Sequence, residues 1–595
     1  MIFEQYYLEC LSHASYLVGD ETSGRAVVVD PQRDVGGYLA DAAAAGLTIE
    51  RVIETHLHAD FLSGHLELAA HTGAGISFGE AAVVDFPIEP LHDRQRLSLG
   101  NVTLEVLATP GHTPESICVV VYEHADDAVP YGVLTGDTLF VGDVGRPDLL
   151  ASAGSGLTAE VLGRQLYHSL HDELLRLPDT TRVYPAHGAG SSCGKQLSNE
   201  TSSTIGEQRA FNYALAPMTE AAFVAVVTEG QPVRPHYFEF DASRNRQLRP
   251  LLDEDEPPPE LSLDDVLALH QAGAMLLDTR EPFDFAAGHL RGAIVVGLQG
   301  RFAEWAGDVL DPNRDIVLVG DPATAHETKI RLARIGFDRV AGQLRDASNV
   351  LAQRVDLAER SSRLTIEQLA EVRGLEPGLQ LVDIRNPGET KAGVLPGAVE
   401  MPLATLVDTM GSLERDRPTV VYCMSGYRSA IAASVLRAAG IQDVSDLVGG
   451  YGAWSGAHLP TSVPALRSGT GSASGSSEGS PTMTVEVPEV TPEETAALLA
   501  AGALLLDVRE ADEWQAGHAP TATHVPMREV PERIDEIPSD RRVVAICRSG
   551  GRSRAVAEAL IGAGFDIVNV SGGMRAWEAA DLPIETDDGS PGVVG

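Results

Sequence analysis

The sequence predicts a multidomain α/β protein in which a metal-binding domain precedes three related doubly wound units. Two observations carry this prediction. Between residues 51 and 188, four groups of His or Asp each follow a short apolar, strand-like run. Between residues 276 and 518, two apolar residues followed by Asp-x-Arg occur three times, each time ahead of helical patterns. Strands that alternate with helices are typical of parallel sheets with covered faces.

The size and charge of the chain exclude several classes of function. Its 595 residues predict three to five domains, and 44% hydrophobic with 22% charged residues is typical of folded material. The formal net charge is −41. An acidic surface repels polyanions, so nucleic acids and anionic membranes are disfavoured as partners.

The cysteines and the start of the chain predict a reduced, cytoplasmic protein. The five cysteines are widely separated and odd in number, which does not fit a disulfide framework. Met1 to Tyr7 lacks the basic and apolar regions of a signal peptide, and no apolar stretch is long enough to span a membrane. Cys10 and Cys118 lie in or beside apolar runs and are interpreted as core residues.

The stretch Thr55 to Phe61 predicts a metal site. His56, His58 and Asp60 follow a strand-like run, and the carboxyl ends of strands are where open α/β sheets keep their sites. One more His or Asp follows each of three later apolar runs, at His112, Asp137 and His187. Four such groups in this order indicate side chains that converge on an ion.

This order of residues resembles the metallo-β-lactamase fold, an αββα sandwich, over roughly residues 1–210. The chain departs from the pattern at Phe61, where the family's second metal requires a His. A phenyl ring cannot bind a metal. A dinuclear hydrolase is therefore disfavoured, because two ions are needed to hold a bridging hydroxide and polarise the substrate.

Within this fold the chain is most similar to the persulfide dioxygenases. The resemblance implies one Fe(II) per chain, held by His56, His112 and Asp137. Two His and one carboxylate with open positions are typical of non-haem iron oxygenases. The implied substrates are O2 and a persulfide of a low-molecular-weight thiol such as glutathione or coenzyme A. The implied product is sulfite. The resemblance is also consistent with a homo-oligomer, since these dioxygenases are often dimers or tetramers, but the sequence does not determine the oligomeric state.

The same resemblance assigns roles around the metal. Arg146, in Gly145-Arg146-Pro147-Asp148, would hold the thiol carrier, and Tyr167 would lie near the iron. His58, Asp60 and His187 are interpreted as residues that orient the ligands. The alternative for His187 is a loop residue paired with the backbone.

Cys193 lies on a loop of small residues, six positions after His187. Persulfide dioxygenases fused to rhodanese domains have a similar loop. A sulfur carrier and an inert loop cysteine are equally consistent with the sequence.

The three repeats predict the domain boundaries. The acidic, proline-rich segment 253–259 separates the metal domain from the first repeat, and Gly/Ser-rich residues separate the last two repeats. Beyond the linker, a swinging sulfur carrier and an independent module fit equally well. The predicted divisions are a metal domain 1–250, a first repeat 260–355, a second 362–462, a flexible linker 463–484 and a third repeat 485–585.

Cys423 and Cys547 each stand 40 residues after the Asp of their repeat's Asp-x-Arg. Each follows an apolar strand and precedes a glycine-containing loop and a predicted helix, over 428–439 and 552–562. Backbone N–H groups and a helix N-terminus are expected to lower the thiol pKa. These repeats resemble the rhodanese family, which implies that the thiolate takes up sulfane sulfur with Arg428 or Arg552 nearby.

The first repeat has no cysteine at the end of its equivalent strand, 316–319. It cannot carry sulfur covalently. We interpret it as a degenerate rhodanese domain that packs the metal domain against its neighbour.

Together these features predict a persulfide dioxygenase coupled to sulfurtransferase domains that form thiosulfate from sulfite and a cysteine persulfide. The same residues could run in reverse and make persulfide from thiosulfate. Two alternatives remain: a mononuclear zinc thioester hydrolase of the glyoxalase II type, and a sulfur-trafficking protein that consumes no oxygen. Zinc content, thioester hydrolysis and oxygen uptake distinguish them.

Overall fold

The computed structural model describes most of the chain. Described are residues 1–149, 157–198, 200–376, 378–391, 393–457, 459–462 and 487–594, the last range without 510, 528–529, 531–532, 539–540, 549, 563–564, 581, 587–589 and 591. The predicted linker 463–484 therefore lies outside the described residues. None of the described helices is long and apolar enough to cross a membrane.

The N-terminal domain contains two sheets. The first has the order β1-β2-β3-β4-β5, and the second runs β10-β9-β8-β7-β6. Its strands are β1 Ile2–Leu8, β2 His13–Asp20, β3 Arg25–Val29, β4 Thr48–Ile53, β5 Gly75–Ser77, β6 Arg96–Ser98, β7 Thr103–Ala108, β8 Ile117–Tyr122, β9 Gly132–Gly136 and β10 Arg182–Pro185. Its helices are α1 Gly36–Ala44, α2 His65–Thr72, α3 Ala159–His168, α5 Glu220–Thr228 and α6 Tyr237–Arg244. The strand β11 Ser203–Thr204 and the helix α4 Ile205–Phe211 lie in the segment 196–217.

The main core of this domain lies between the two sheets. Tyr16 and Val27 from the first sheet share one buried cluster with Val106 and Val119 from the second. On its other face the first sheet packs against α1 and α2, and Tyr38 is among the residues buried there. Because both faces of the first sheet are buried, its strands have apolar residues at successive positions. The predicted sandwich is confirmed.

Three rhodanese-like units follow, each with a parallel five-stranded sheet. The orders are β12-β17-β16-β13-β15, β19-β23-β22-β20-β21 and β24-β28-β27-β25-β26. The same order recurs in all three sheets, which confirms the internal repeat.

The first unit contains β12 Glu260–Leu261, α7 Leu263–Gln271, β13 Met275–Asp278, α8 Pro282–Ala287, β14 His289–Leu290, β15 Ala293–Val295, α9 Phe302–Val309, β16 Ile316–Leu318, α10 Ala325–Ala333, β17 Val340–Leu344, α11 Ala347–Gln353 and β18 Ala358–Glu359. The second contains β19 Ser362–Leu364, α12 Ile366–Leu375, β20 Gln380–Asp383, α13 Pro387–Thr390, β21 Ala398–Glu400, α14 Leu403–Thr409, β22 Thr419–Tyr422, α15 Tyr427–Ala438, β23 Val444–Leu447 and α16 Gly450–Gly456. The third contains β24 Glu489–Val490, α17 Pro492–Ala500, β25 Leu504–Asp507, α18 Ala511–Ala516, β26 Thr523–His524, β27 Val543–Ile546, α19 Gly551–Gly562, β28 Ile567–Val570 and α20 Gly573–Ala579.

The chain forms two compact units, and each unit combines segments that are not consecutive in the sequence. One contains Met1–Phe140, Val144–Lys195 and Met218–Leu466. The other contains Val141–Asp143, Gln196–Pro217 and the described part of Arg467–Gly595. The segment 196–217, which the sequence assigns to the metal domain, thus belongs to the same compact unit as the third rhodanese-like domain.

Within the first unit, buried ion pairs join the metal domain to the cysteine-free rhodanese-like domain. Arg33, fully buried, contacts both Glu67 and Asp338, and it donates to the Ala333 carbonyl at 2.8 Å. Arg249 also pairs with Glu67, with Nη2 and Oε2 3.0 Å apart. The proposed packing role of the cysteine-free domain agrees with this network.

We expect Glu67→Gln to destabilise the first unit by about 3–5 kcal/mol, because it leaves two buried guanidinium groups without their shared carboxylate. Chemical denaturation followed by circular dichroism measures the loss. Glu123→Gln, at an exposed position, is the matched control. Equal unfolding midpoints for Glu67→Gln and the control would contradict the assigned role.

Candidate metal centre and sulfur-transfer loops

His56, His112 and Asp137 come together at one end of the two sheets. They follow β4, β7 and β9, and all three are buried. Asp137 Oδ2 lies 3.8 Å from His56 Nε2 and 3.4 Å from His112 Nε2. His56 Nε2 and Asp137 Oδ2 have no hydrogen-bond partner. Buried polar atoms are rarely left unpaired, so converging, unpaired ligand atoms fit a metal ion.

Neighbouring groups orient the two ligand imidazoles. His112 Nδ1 donates to the Arg146 carbonyl at 3.0 Å. His56 Nδ1 lies 3.0 Å from Thr55 Oγ1, and that hydroxyl donates to Asp30 at 2.8 Å, so His56 Nδ1 is the donor. In both rings Nε2 therefore carries no proton, and its lone pair faces Asp137.

Gly145 allows the backbone to approach the site. A Cβ at this position would lie 1.9 Å from the Asp137 carbonyl oxygen and 3.0 Å from His112 Nδ1. Any larger residue would displace two of the three candidate ligands.

His187 holds Asp137 in place, and Asp60 in turn holds His187. His187 Nδ1 lies 2.7 Å from Asp137 Oδ1, and its Nε2 lies 2.6 Å from Asp60 Oδ2. Burial raises the pKa of Asp137, but the charge and hydrogen bond of His187 outweigh burial and the net shift is downward. The carboxylate is thus held ionised with Oδ2 turned toward the two imidazoles. This geometry agrees with the orienting role proposed for Asp60 and His187.

His58 lies beside His56, with ring centroids 4.1 Å apart. Its Nε2 is 3.0 Å from Asp30 Oδ1 and 3.2 Å from Glu54 Oε2. Burial lowers the pKa of His58, but these two carboxylates outweigh burial and raise it to about 10. His58 therefore influences the ligands through Asp30, which also binds Thr55 beside His56.

Phe61 occupies the space beside these imidazoles. Its ring centroid lies 4.4 Å from that of His58 and 4.0 Å from that of His13. His13 is fully buried and lies 5.6 Å, centroid to centroid, from His187. His13 could not be predicted from the sequence, because a single His within an apolar strand has no motif.

Cys193 is buried beside Asp60 and His187. The ligand-type atoms of these three residues lie within 4.8 Å of one another. Burial, Asp60 and Asp137 raise the pKa of Cys193 well above its usual value. Its thiol is held neutral next to the metal centre, and the role of Cys193, as a sulfur carrier or as an inert loop cysteine, stays a prediction.

Arg146 and Tyr167 have other neighbours in this structure. The Arg146 guanidinium pairs with Asp148 at 2.7 Å and donates to the Ser192 carbonyl at 3.1 Å. Tyr167 stacks on His171 with ring centroids 4.1 Å apart. Arg146 therefore supports the Cys193 loop, and the substrate-binding roles of both residues stay predictions.

The Cys423 and Cys547 loops share one geometry. Each thiol lies directly after a central strand, and the N–H of Gly426 or Gly550 donates to the sulfur at 3.1 Å. Both glycines have positive φ, 93° and 97°, which turns the chain into the following helix. That turn starts each helix one residue before the predicted start, at Tyr427 and Gly551.

An arginine beside each loop is held by a carboxylate of its own domain. Arg428 binds Glu389 through two contacts of 2.6 and 2.8 Å, and Arg552 binds Glu513 at 2.6 and 2.7 Å. Each Cys, Arg and Glu set thus recurs with the same arrangement.

The expected lowering of the thiol pKa is wrong for Cys547. Burial and the nearby Glu200 raise the pKa of Cys547, against the opposing charge of Arg552. The sequence could not anticipate this, because Glu200 comes from a distant segment.

Comparison with known proteins places these features in families. The Metallo-beta-lactamase superfamily matches residues 8–187, and the Rhodanese-like domain matches residues 262–342, 366–457 and 491–580. The crystal structure of a metallo-beta-lactamase from Staphylococcus aureus is 34% identical in sequence to this chain, with a TM-score of 0.54. The match covers 58% of this chain and 99% of the Staphylococcus aureus chain. The chain belongs to the metallo-β-lactamase superfamily. The predicted fusion of this domain to three rhodanese-like domains is confirmed, including the cysteine-free first unit.

The chain is also similar to the mitochondrial persulfide dioxygenases ETHE1 of Bos taurus and Homo sapiens. Each is 29% identical over 235 residues, which are 39% of this chain and 82% of the relative.

Proposed function

We propose that the chain is a persulfide dioxygenase fused to sulfurtransferase domains. Its relatives named persulfide dioxygenase support the first activity, and the rhodanese-like domains with Cys423 and Cys547 support the second. The observation that carries the proposal is the convergence of His56, His112 and Asp137 beside Phe61. This arrangement provides three ligands for one ion.

We propose Fe(II) as that ion. Two imidazoles and one carboxylate form the donor set of non-haem iron oxygenases, and iron in such a set can bring O2 and the terminal sulfur of a persulfide together. The protein's own contribution is to hold the donors in place. His187 fixes Asp137, the Arg146 carbonyl fixes His112, and Phe61 fills neighbouring space with a ring that binds no metal.

The rhodanese-like loops would then convert sulfite to thiosulfate. The sulfur lone pair of sulfite attacks the outer sulfur of a cysteine persulfide, and the bond from that sulfur to the cysteine breaks. The cysteine leaves as the thiolate, and the N–H of Gly426 or Gly550 stabilises the charge it gains. The transfer needs no external oxidant or reductant. The same contacts serve the opposite direction.

Oxygen uptake tests the proposal. Anaerobically purified, iron-loaded protein given glutathione persulfide is expected to consume O2 and release sulfite and thiosulfate. Removal of the metal with a chelator should abolish uptake, and Fe(II) should restore it. Full iron content without oxygen uptake, across glutathione and coenzyme A persulfides, would overturn the assignment and leave a sulfurtransferase with a metal-binding domain.

A further inference from the structure

The Cys547 loop has a neighbour from a distant part of the sequence. Glu200, in the segment 196–217, lies with Oε1 3.8 Å from Cys547 Sγ, and the thiol donates to this carboxylate. The same Oε1 is 3.6 Å from Arg552 Nε. Only 5% of Glu200 is exposed, so water screens its charge weakly.

The segment that carries Glu200 is anchored within the second compact unit. Asp143 accepts from the Gln196 N–H at 2.7 Å and from the Tyr213 hydroxyl at 2.6 Å. Phe211 packs against the core cluster that contains Cys547. A Cβ on Gly551 would lie 2.7 Å from Ser198 Oγ, so the segment closely approaches the N-terminus of α19. These contacts hold the segment, and with it Glu200, in position beside Cys547.

The thiol of the Cys423 loop has different neighbours. Cys423 Sγ lies 3.6 Å from the Ser429 hydroxyl and accepts from the Gly426 N–H at 3.1 Å. Tyr427, the first residue after the loop, packs on Trp305 with ring centroids 4.9 Å apart. Within the described residues, no carboxylate accepts from the Cys423 thiol as Glu200 does from Cys547.

We infer that Glu200 makes Cys547 selective for thiol persulfides over thiosulfate and sulfite, whereas Cys423 handles those inorganic anions. This division of labour rests on the proposed sulfurtransferase function. Thiosulfate and sulfite carry two negative charges close to the reacting sulfur, and a buried carboxylate at the thiol repels them. The persulfide group of a thiol persulfide carries at most one charge at its two sulfur atoms.

Glu200 also gives the persulfide reaction a proton acceptor. As Cys547 attacks the outer sulfur of R–S–SH, its thiol proton passes to Glu200. The S–S bond breaks, and the leaving thiolate R–S⁻ takes that proton. The products are R–SH and a persulfide on Cys547, with no net oxidation or reduction. The contact between the thiol and Glu200 Oε1 supplies the path.

The test is a donor comparison in the full-length chain, with Cys423→Ser present so that Cys547 is the remaining rhodanese-type cysteine. Cyanide traps the transferred sulfur as thiocyanate under anaerobic conditions, with either thiosulfate or glutathione persulfide as donor. Glu200→Gln should raise kcat/KM for thiosulfate about tenfold or more, because it removes the like charge, and lower it for the persulfide several-fold. Glu578→Gln, exposed on α20, is the matched charge control.

Two results would overturn the inference. One is an unchanged ratio of the two donors in Glu200→Gln. The other is the absence of sulfur transfer to Cys547 from either donor, both in the chain with Glu200 and in the Glu200→Gln variant. A loss of folding would lower both rates together and change the circular dichroism spectrum, which separates it from an unchanged ratio in a folded variant. Because the assay needs neither O2 nor metal, failure of the dioxygenase proposal would be detected separately by oxygen uptake.

Discussion

His112→Ala is expected to reduce persulfide-dependent oxygen uptake by about 100-fold or more. Loss of a residue that only orients a ligand already costs about 10–100-fold in metal affinity or activity. His112 presents Nε2 directly to Asp137 Oδ2 and has its Nδ1 fixed by the Arg146 carbonyl, so its loss removes one of three donors. Iron content and oxygen uptake of the purified variant measure the effect together.

His124→Ala is the matched control for this variant, since His124 is exposed. It should retain iron and oxygen uptake. Transfer of sulfur from glutathione persulfide to cyanide should survive in His112→Ala, because Cys423 and Cys547 need no metal. Full oxygen uptake by His112→Ala would contradict the assigned ligand set.

Replacing both Cys423 and Cys547 by Ser is expected to reduce thiosulfate formation by about 1,000-fold or more, as loss of a nucleophile does in covalent catalysis. Sulfite should accumulate in its place. The hydroxyl of Ser cannot form a persulfide, while the strand and loop around each position are kept. Simultaneous measurement of O2, sulfite and thiosulfate tests this outcome.

Oxygen uptake is the internal control of the double variant, because the metal ligands are untouched. It should remain near that of the unaltered chain. The single variants extend the comparison: Cys547→Ser should still make thiosulfate from sulfite, and Cys423→Ser should not. Undiminished thiosulfate in the double variant would show that another group, with Cys193 as the first candidate, forms it.

Much of the site could be predicted because its residues follow strands. His56, His112 and Asp137 come shortly after β4, β7 and β9, and these strands end at the same end of the two sheets. The absence of a His at position 61, where the chain has Phe61, disfavours a second ion in the usual place from the sequence alone. His13 was missed because its position within β2 has no pattern of its own.

The sequence by itself determined the composition of the domains, the two cysteine loops and the candidate ligands, because strand periodicity and motif spacing are local properties of the chain. Only the tertiary structure decided the environment of each reactive group. Glu200 reaches Cys547 across 347 positions of sequence, and His58 turns to Asp30 and Glu54. Charge and burial act through space, so residues far apart in the chain determine whether a thiol is ionised and which donors it accepts.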